Sequence, residues 1–395
     1  ITCDWSSDVC SSDLVKDRDR VMVDNSACLG NIPSISNFRH TTSIAHFRFL
    51  KNLGYRDEFT RTYGQGGTLF SDLLLGHGFV LASCPVEGME DVLSRDGMYL
   101  YRLPGAQWGR VVPESALGLE LDDKASVFEN LNVLYARLFP SGKSPLYVPA
   151  EARTEVCGNA YSMRIPERDG DVYGFPLTDT DELKVDGREV PVMAEAQKKP
   201  GWKGRTYNGT LELKSAVTGG ETLVTGVMRR LVECPMIVAA AQQGEWDLPA
   251  FPEGSAPRRM EERGRGGHVE VDLAAGAREA LMIPVVYDRG WSAVRNGVSV
   301  PVEKVGELMA VRLEPGRNRV VFDYFPPLLK ETLAVSAVAA LFLLLYAGWA
   351  RRHPEAPLRR AVLACGYRLF LFCCACLLLA VYAGSVVVFA VQCLL

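Results

Sequence analysis

Histidine is scarce in this chain of 395 residues, and the five present (His40, His46, His77, His268 and His353) show neither a His-Glu-x-x-His nor any other metal spacing. No Gly-x-Ser-x-Gly elbow surrounds Ser71, Ser83 or Ser292, so a serine hydrolase of that type is excluded. The glycine-rich run at Tyr63–Thr68 (YGQGGT) lacks the Lys-Ser/Thr of a phosphate loop and reads as a flexible loop. An excess of basic residues is missing as well. Lys and Arg number 43 against 47 Asp and Glu, a formal net charge of −4, which excludes nucleic acid as a bulk electrostatic partner. Acidic pairs such as Asp122-Asp123 and Glu261-Glu262 are adjacent in sequence, as on a solvated surface, and not spaced as an acid/base dyad.

What is present is apolar material. Hydrophobic residues make up 48% of the chain, enough to bury cores and to exclude a disordered tail or a small disulfide-stapled domain. At about 150 residues per domain the length suggests two or three domains. The mean hydropathy of +0.04 is high for a soluble protein, and the excess sits at the C-terminal end. Residues 332–350 run for 19 positions without a charge, and residues 369–395 for 27. At about 1.5 Å rise per residue each approaches or exceeds a hydrocarbon core of about 30 Å. Neither run keeps the polar stripe of a soluble helix, so transmembrane helices are expected at 332–350 and 369–391. The connector at 351–360 (RRHPEAPLRR) carries four arginines against one glutamate. By the positive-inside rule that loop is cytoplasmic, everything before residue 332 is extracytoplasmic, and the partner on this side is membrane lipid.

The first fourteen residues are set aside. Asp4 to Leu14 (DWSSDVCSSDL) reads as the in-frame translation of a sequencing adaptor, so residues 1–14 are treated as a non-native scar. Without Asp4, Asp8 and Asp13 the formal charge moves to −1. The natural protein is then expected to have lost an unknown length upstream. Cys28, Cys84, Cys157 and Cys234 are far apart, without Cys-x-x-Cys or a histidine at metal spacing; they read as buried free thiols, with one or two disulfides as the other reading. Cys373, Cys374 and Cys376 lie in the second apolar run, where cysteine acts as a small hydrophobe, palmitoylation being the alternative.

The expected fold class is α+β, mostly β: a β-sandwich-like ectodomain followed by two transmembrane helices. Residues 15–125 read as an α+β segment. In it, Ile44, Phe47, Leu50 and Leu53 share a helical face that stops at Gly54, residues 70–83 turn from helix into a buried strand carrying a core His77, and residues 97–103 form another strand. Residues 21–43 read as a long polar loop. Residues 126–246 read as a β-sandwich-like module, 247–267 as a Pro/Gly/charge-rich linker or exposed loop, and 268–328 as a membrane-proximal β module. The two modules share a pattern. Asp186-Gly187 and Asn296-Gly297 each open a [DN]-G-x-x-V-P-V hairpin of the type I′ kind and are each followed by two further strands about a glycine turn, which suggests a duplication. Asn208-Gly209-Thr210 is a formal glycosylation sequon, relevant only in a eukaryotic secretory route.

A more specific likeness lies in residues 281–327, where Pro284, Gly290-Trp291, Asn296-Gly297, Pro315-Gly316 and Tyr324-Phe325-Pro326 precede an apolar run. This order resembles the membrane-proximal end of the YfhO family of bacterial membrane proteins. Residues 128–139 (FENLNVLYARLF) resemble that family's Phe-Glu-x-x-Asn segment, and residues 37–81 its Leu-Gly helix and Leu-Leu-Gly strand, so the likeness extends over most of residues 20–350. The departure is a second apolar run after the first, where the family usually ends. The resemblance implies a multispanning GT-C type glycosyltransferase. It would move a sugar from a polyprenyl-phosphate-linked donor onto lipoteichoic acid or another cell-surface glycopolymer, with catalytic spans upstream of this chain that are its partners within the same protein. No catalytic residue, metal or cofactor is assigned within the chain itself. A non-enzymatic, membrane-anchored β-sandwich module for glycan binding or adhesion is the alternative, and a secretion or assembly scaffold a third reading. Trp246, Tyr287 and Trp291 are the candidate glycan contacts, because exposed aromatics stack on sugar faces; each also reads as core packing.

Overall fold

The computed structural model describes residues 20–22, 37–38, 44–58, 61–82, 91–95, 98–103, 109–142, 144–168, 170–190, 206–214, 220–242, 268–354 and 357–378. The chain up to Phe325 forms one compact unit and the chain from Pro326 a second. The N-terminal scar, Trp246, the linker at 247–267, Cys28 and Cys84 lie outside the described residues.

The first unit opens with short elements. Strands β1 (Arg20–Met22), β2 (Asn37–Phe38), β3 (Tyr55–Glu58), β4 (Arg61–Gly66), β5 (His77–Ala82), β6 (Asp91–Arg95), β7 (Met98–Arg102) and β8 (Arg110–Pro113) are interleaved with helices α1 (Ile44–Asn52) and α2 (Leu69–Leu74). They form a β1-β5-β7-β6 sheet, in which β1 pairs parallel, and a β2-β4-β3 sheet. Helix α1 ends where Gly54 takes φ of +89°. Its buried face is Phe49, Leu50 and Leu53; Ile44 points to solvent, because the covering core lies over the C-terminal turn only. The run expected to be a flexible loop is instead the end of β4 and a tight turn. A Cβ at Gly66 would sit 2.9 Å from the Arg56 backbone N and one at Gly67 2.7 Å from Ser71 Oγ, so only glycine lets this backbone pack.

Helix α3 (Val127–Leu138) starts at a capping box: Glu129 N donates to Ser126 Oγ (3.2 Å) and Ser126 N to Glu129 Oε2 (2.7 Å). Three residues on, Asn132 Nδ2 donates to Tyr147 O (2.8 Å) and Tyr147 N donates to Asn132 Oδ1 (2.7 Å). The Phe-Glu-x-x-Asn run therefore has a structural reason. Its Glu caps the helix and its Asn clamps the next strand to it.

That strand is β9 (Tyr147–Pro149), the first of a sandwich that continues through β10 (Arg153–Cys157), β11 (Ala160–Ile165), β12 (Val172–Pro176), β13 (Thr180–Val185), β14 (Arg188–Glu189), β15 (Thr206–Tyr207), β16 (Leu211–Lys214), β17 (Thr222–Met228) and β18 (Met236–Ala241). One sheet runs β10-β11-β17-β13-β14, with β15 also on β13; the other runs β16-β12-β18-β9. A second sandwich follows from β19 (His268–Ala275), β20 (Glu279–Val286), β21 (Trp291–Arg295), β22 (Val298–Val300), β23 (Glu303–Val305), β24 (Leu308–Arg312) and β25 (Gly316–Tyr324). Its sheets run β19-β25-β21-β22 and β23-β24-β20-β8.

The two sandwiches repeat one wiring. The order β11-β17-β13-β14 corresponds strand for strand to β19-β25-β21-β22, and the pair β12-β16 to β20-β24. The fourth position differs: β18, next in sequence, completes the first copy, and the distant β8 completes the second. The hairpins agree in detail. Asp186 and Asn296 have φ of 49° and 50°, followed by Gly187 and Gly297 at 77° and 84°, as a type I′ turn requires. In each copy the turn residue N donates to a carbonyl on the neighbouring strand, Leu223 O (2.8 Å) or Arg319 O (2.9 Å). Its Oδ1 accepts from the N–H of that same residue at 2.8 Å. Asn296→Ala is therefore expected to cost about 1–2 kcal/mol, one hydrogen bond plus a left-handed backbone, and Asn296→Asp to stay within about 0.5 kcal/mol of the parent. Urea unfolding of the two variants checks this.

Three hydrophobic cores explain why the second sheet of each sandwich is buried on both faces. In β12, Val172 faces the first sandwich core and Tyr173 the helical core; in β20, Leu281 and Ile283 face the second sandwich core while Ala280 and Met282 face the helices. Helix α3, with Phe128, Leu131, Leu134 and Leu138, fills the helical core against both of these sheets.

The second unit contains α4 (Leu329–Arg352) and α5 (Pro357–Leu378). Helix α4 is the one described helix long and apolar enough to cross a membrane, with a mean hydropathy of 2.1 over its best window and none of that window buried. Arg351 and Arg352 close α4, and α5 carries Arg359, Arg360 and Arg368, so the expected arginine loop is mostly helical at both ends. Cys157 and Cys234 are free and exposed, which corrects the expectation of buried thiols: β10 is an edge strand exposed along its whole length.

Candidate functional site

Two of the candidate aromatics lie at one end of the second sandwich. Tyr287 follows β20 and Trp291 opens β21; both are half-buried and pack on the second sandwich core. Trp291 stacks on Tyr324 with ring centroids 5.1 Å apart and planes tilted by 51°. Lys304 Nζ stands 5.1 Å from the Tyr287 ring centroid, a cation–π contact, and pairs with Glu307 at 3.0 Å. The bend between the strands is held by Asp288. Gly290 N donates to Asp288 Oδ1 (2.8 Å) and Trp291 N to Asp288 O (3.1 Å). Burial and the neighbouring Asp288 carboxylate raise the Tyr324 phenol above its ordinary value. Gly290 is needed by space alone. A Cβ there would lie 2.4 Å from Phe325 O and 2.6 Å from Tyr324 Cε2. The Gly-Trp pair is thus the point at which the last strand is locked before Pro326, and both aromatic rings are partly used in packing.

A second cluster, which sequence reading registered only as a core histidine, lies on α2, β3 and β5. Tyr55 Oη donates to Asp72 Oδ1 at 2.5 Å, and His77 Nδ1 lies 3.2 Å from the same oxygen. Tyr55 and His77 are fully buried, their rings edge to face at 6.0 Å. Among the described residues His77 Nε2 has no partner. Burial holds the Asp72 carboxyl above its ordinary range, offset in part by His77 and Tyr55. Below it, burial lowers the Arg110 guanidinium to about 10 while Nη2 reaches Leu73 O at 3.4 Å. Because the folded state retains the Asp72 proton to higher pH than the unfolded chain, its contribution is fully present below about pH 4 and is lost as pH rises through the folded value. Asp72→Asn is expected to flatten that decline, seen as urea midpoints that vary less between pH 4 and pH 7 than in the parent. Among the described residues no three His, Cys, Asp or Glu side chains are placed to hold a metal ion.

The locked end of the second sandwich falls inside a stretch with known relatives. Residues 257–336 match the family described as "Bacterial membrane protein YfhO". Over this segment the chain is similar to the YfhO family. The YfhO segment covers β19 to β25, including the Gly290-Trp291 lock, and continues in sequence into the first turns of α4. A Bacillus subtilis (strain 168) protein described as "Uncharacterized protein YfhO" is 28% identical over 67 residues, 17% of this chain. The matched stretch spans 8% of that protein's length. No solved structure matches the chain.

Proposed function

We propose that the chain is the extracytoplasmic and membrane-anchored portion of a multispanning YfhO-like protein. The whole protein would transfer a sugar from a polyprenyl-phosphate carrier to lipoteichoic acid or another cell-surface polymer, with its catalytic spans outside this chain. The observation that supports this reading is the YfhO-family segment leading in sequence straight into the apolar helix α4. The arginines at the end of α4 and the start of α5 favour a cytoplasmic position for that connection, hence sandwiches on the outer side and α5 as a second crossing. In this arrangement the role of the described residues is to hold an acceptor beside the membrane, and the outer rims of Tyr287 and Trp291 are offered as contacts.

Two sandwiches in tandem, followed in sequence by an apolar helix, also suit a non-enzymatic glycan-binding or adhesion module, the second reading. Deleting the whole gene and analysing the surface polymers separates the two. The transferase reading expects loss of one sugar substituent, restored by the complete gene; an unchanged glycan profile, with an upstream reading frame encoding only a signal peptide, contradicts it and favours the module.

A further inference from the structure

The repeat makes an internal comparison possible, because the same outward sheet face occurs twice. In the second sandwich that face is filled by paired charges: His268 Nδ1 meets Asp323 Oδ1 at 2.6 Å, and Arg319 Nε meets Glu270 Oε1 at 2.5 Å. Hairpin register fixes the equivalents in the first sandwich. Ala160 stands for His268, Val227 for Asp323, Ser162 for Glu270 and Leu223 for Arg319. The first copy has thus exchanged long, paired side chains for short ones.

Two additions turn the cleared face into a groove. The edge strand β10 widens the sheet beyond β11, a position with no counterpart among the described residues of the second copy. A bulge in β13 inserts one extra residue between Asp181 and Lys184, leaving Glu182 exposed at φ of 52°. The result is an open groove of about 540 Å³, within the range of about 300–1,000 Å³ usual for small-ligand sites. A cross-strand row, Glu155–Ser162–Thr225–Lys184, runs along it. Among the described residues Glu155, Glu182 and Lys184 carry no ion pair, whereas the flanking Arg164 and Arg229 are paired with Glu221 and Asp181.

We infer that this groove is a binding site for a neutral, hydroxyl-rich saccharide chain. Carboxylates accept hydrogen bonds from sugar hydroxyls, the Lys184 ammonium donates to hydroxyl or ring oxygens, and Ser162 and Thr225 do either. Two carboxylates against one ammonium leave the rim net negative, which disfavours a polyphosphate backbone. The short side chains of Ala160, Ser162 and Thr225 keep the floor open to a flat ring. The inference rests on the outward placement of the sandwiches and not on any transferase activity. It narrows the ligand from surface polymers in general to their saccharide part.

The test uses the purified full chain in detergent, titrated calorimetrically with maltohexaose and laminarihexaose and, as the charged counter-probe, a glycerol phosphate hexamer. Saturable binding of at least one hexasaccharide and none of the glycerol phosphate is expected. Rebuilding the second copy's face in the first (A160H/V227D/S162E/L223R) is expected to weaken binding at least tenfold, as is the single Thr225→Arg, which plugs the row in case the quadruple variant folds poorly. Absence of saturable hexasaccharide binding, preference for the glycerol phosphate, or full affinity in a folded Thr225→Arg protein overturns the inference. Surface-glycan analysis of the deletion strain is read separately, so either proposal can fail alone.

Discussion

Leu131→Ala is expected to destabilise the first unit by about 3 kcal/mol, with the midpoint of urea unfolding of the full chain falling accordingly. Leu131 is fully buried at the middle of α3. Its helix meets the inner faces of both second sheets, through Tyr173 and Ala239 on one and Ala280, Met282, Leu308 and Ala310 on the other. Truncation removes three heavy atoms from a core whose members belong to different sheets, so collapse around the cavity is restricted. Such a loss is a large fraction of the roughly 5–15 kcal/mol of a typical domain. Val133→Ala, two residues along on the exposed face, is the control and is expected to change stability by less than about 0.5 kcal/mol. Equal effects of the two substitutions would remove α3 from its place between the sandwiches.

Gly290→Ala is expected to cost about 3 kcal/mol, at the upper end for one added methyl, because one of the obstructing atoms is backbone. The new Cβ would meet Phe325 O at 2.4 Å and the Tyr324 ring at 2.6 Å. To make room, the bond in which Phe325 N donates to Gly290 O (2.9 Å) must lengthen, and the Trp291–Tyr324 stack with it. Hydrogen exchange is the discriminating readout. The Phe325 amide should lose protection well before the amides of β19, on the far side of β25; uniform loss across the sandwich would mean that the glycine serves the whole fold and not the strand end. Trp291→Phe, which keeps a ring against Tyr324, is expected to do much less.

What was legible in the sequence is what depends on a few adjacent residues. Asp186-Gly187 and Asn296-Gly297 announced their hairpins because two consecutive positive φ angles leave few other residue choices, and their common spacing gave the duplication that the strand order bears out. The long uncharged run of α4 was equally plain. The pairings that the chain makes across distance were not. Nothing near residues 110–113 tells that β8 completes a sheet whose other strands begin at residue 279, since any alternating strand could do so. The amphipathic face of α1 is buried at Leu50 and Leu53 as expected but not at Ile44, for the same reason: which turn is covered depends on a core assembled from remote segments.

The candidate aromatics illustrate the limit for function. Trp291 and Tyr287 are ring types that stack on sugars; the structure packs the first against Tyr324 and sets Lys304 over the second, and Trp246 lies outside the described residues. The groove of the first sandwich left no such mark. Ala160, Ser162 and Val227 are unremarkable singly and become informative only beside their counterparts in the second copy. Aligning the two [DN]-G hairpins outward by strand was the one signal in the sequence that could have found them.

The proposed placement of the sandwiches on the outer side of the membrane is open to direct measurement through the exposed thiols of Cys157 and Cys234. In the complete protein with every other cysteine changed to serine, a membrane-impermeant maleimide applied to intact cells is expected to label both to the same extent as after permeabilisation. Labelling that appears only once the membrane is opened would put the sandwiches in the cytoplasm and contradict the proposed function, the orientation of α4 and the saccharide site together.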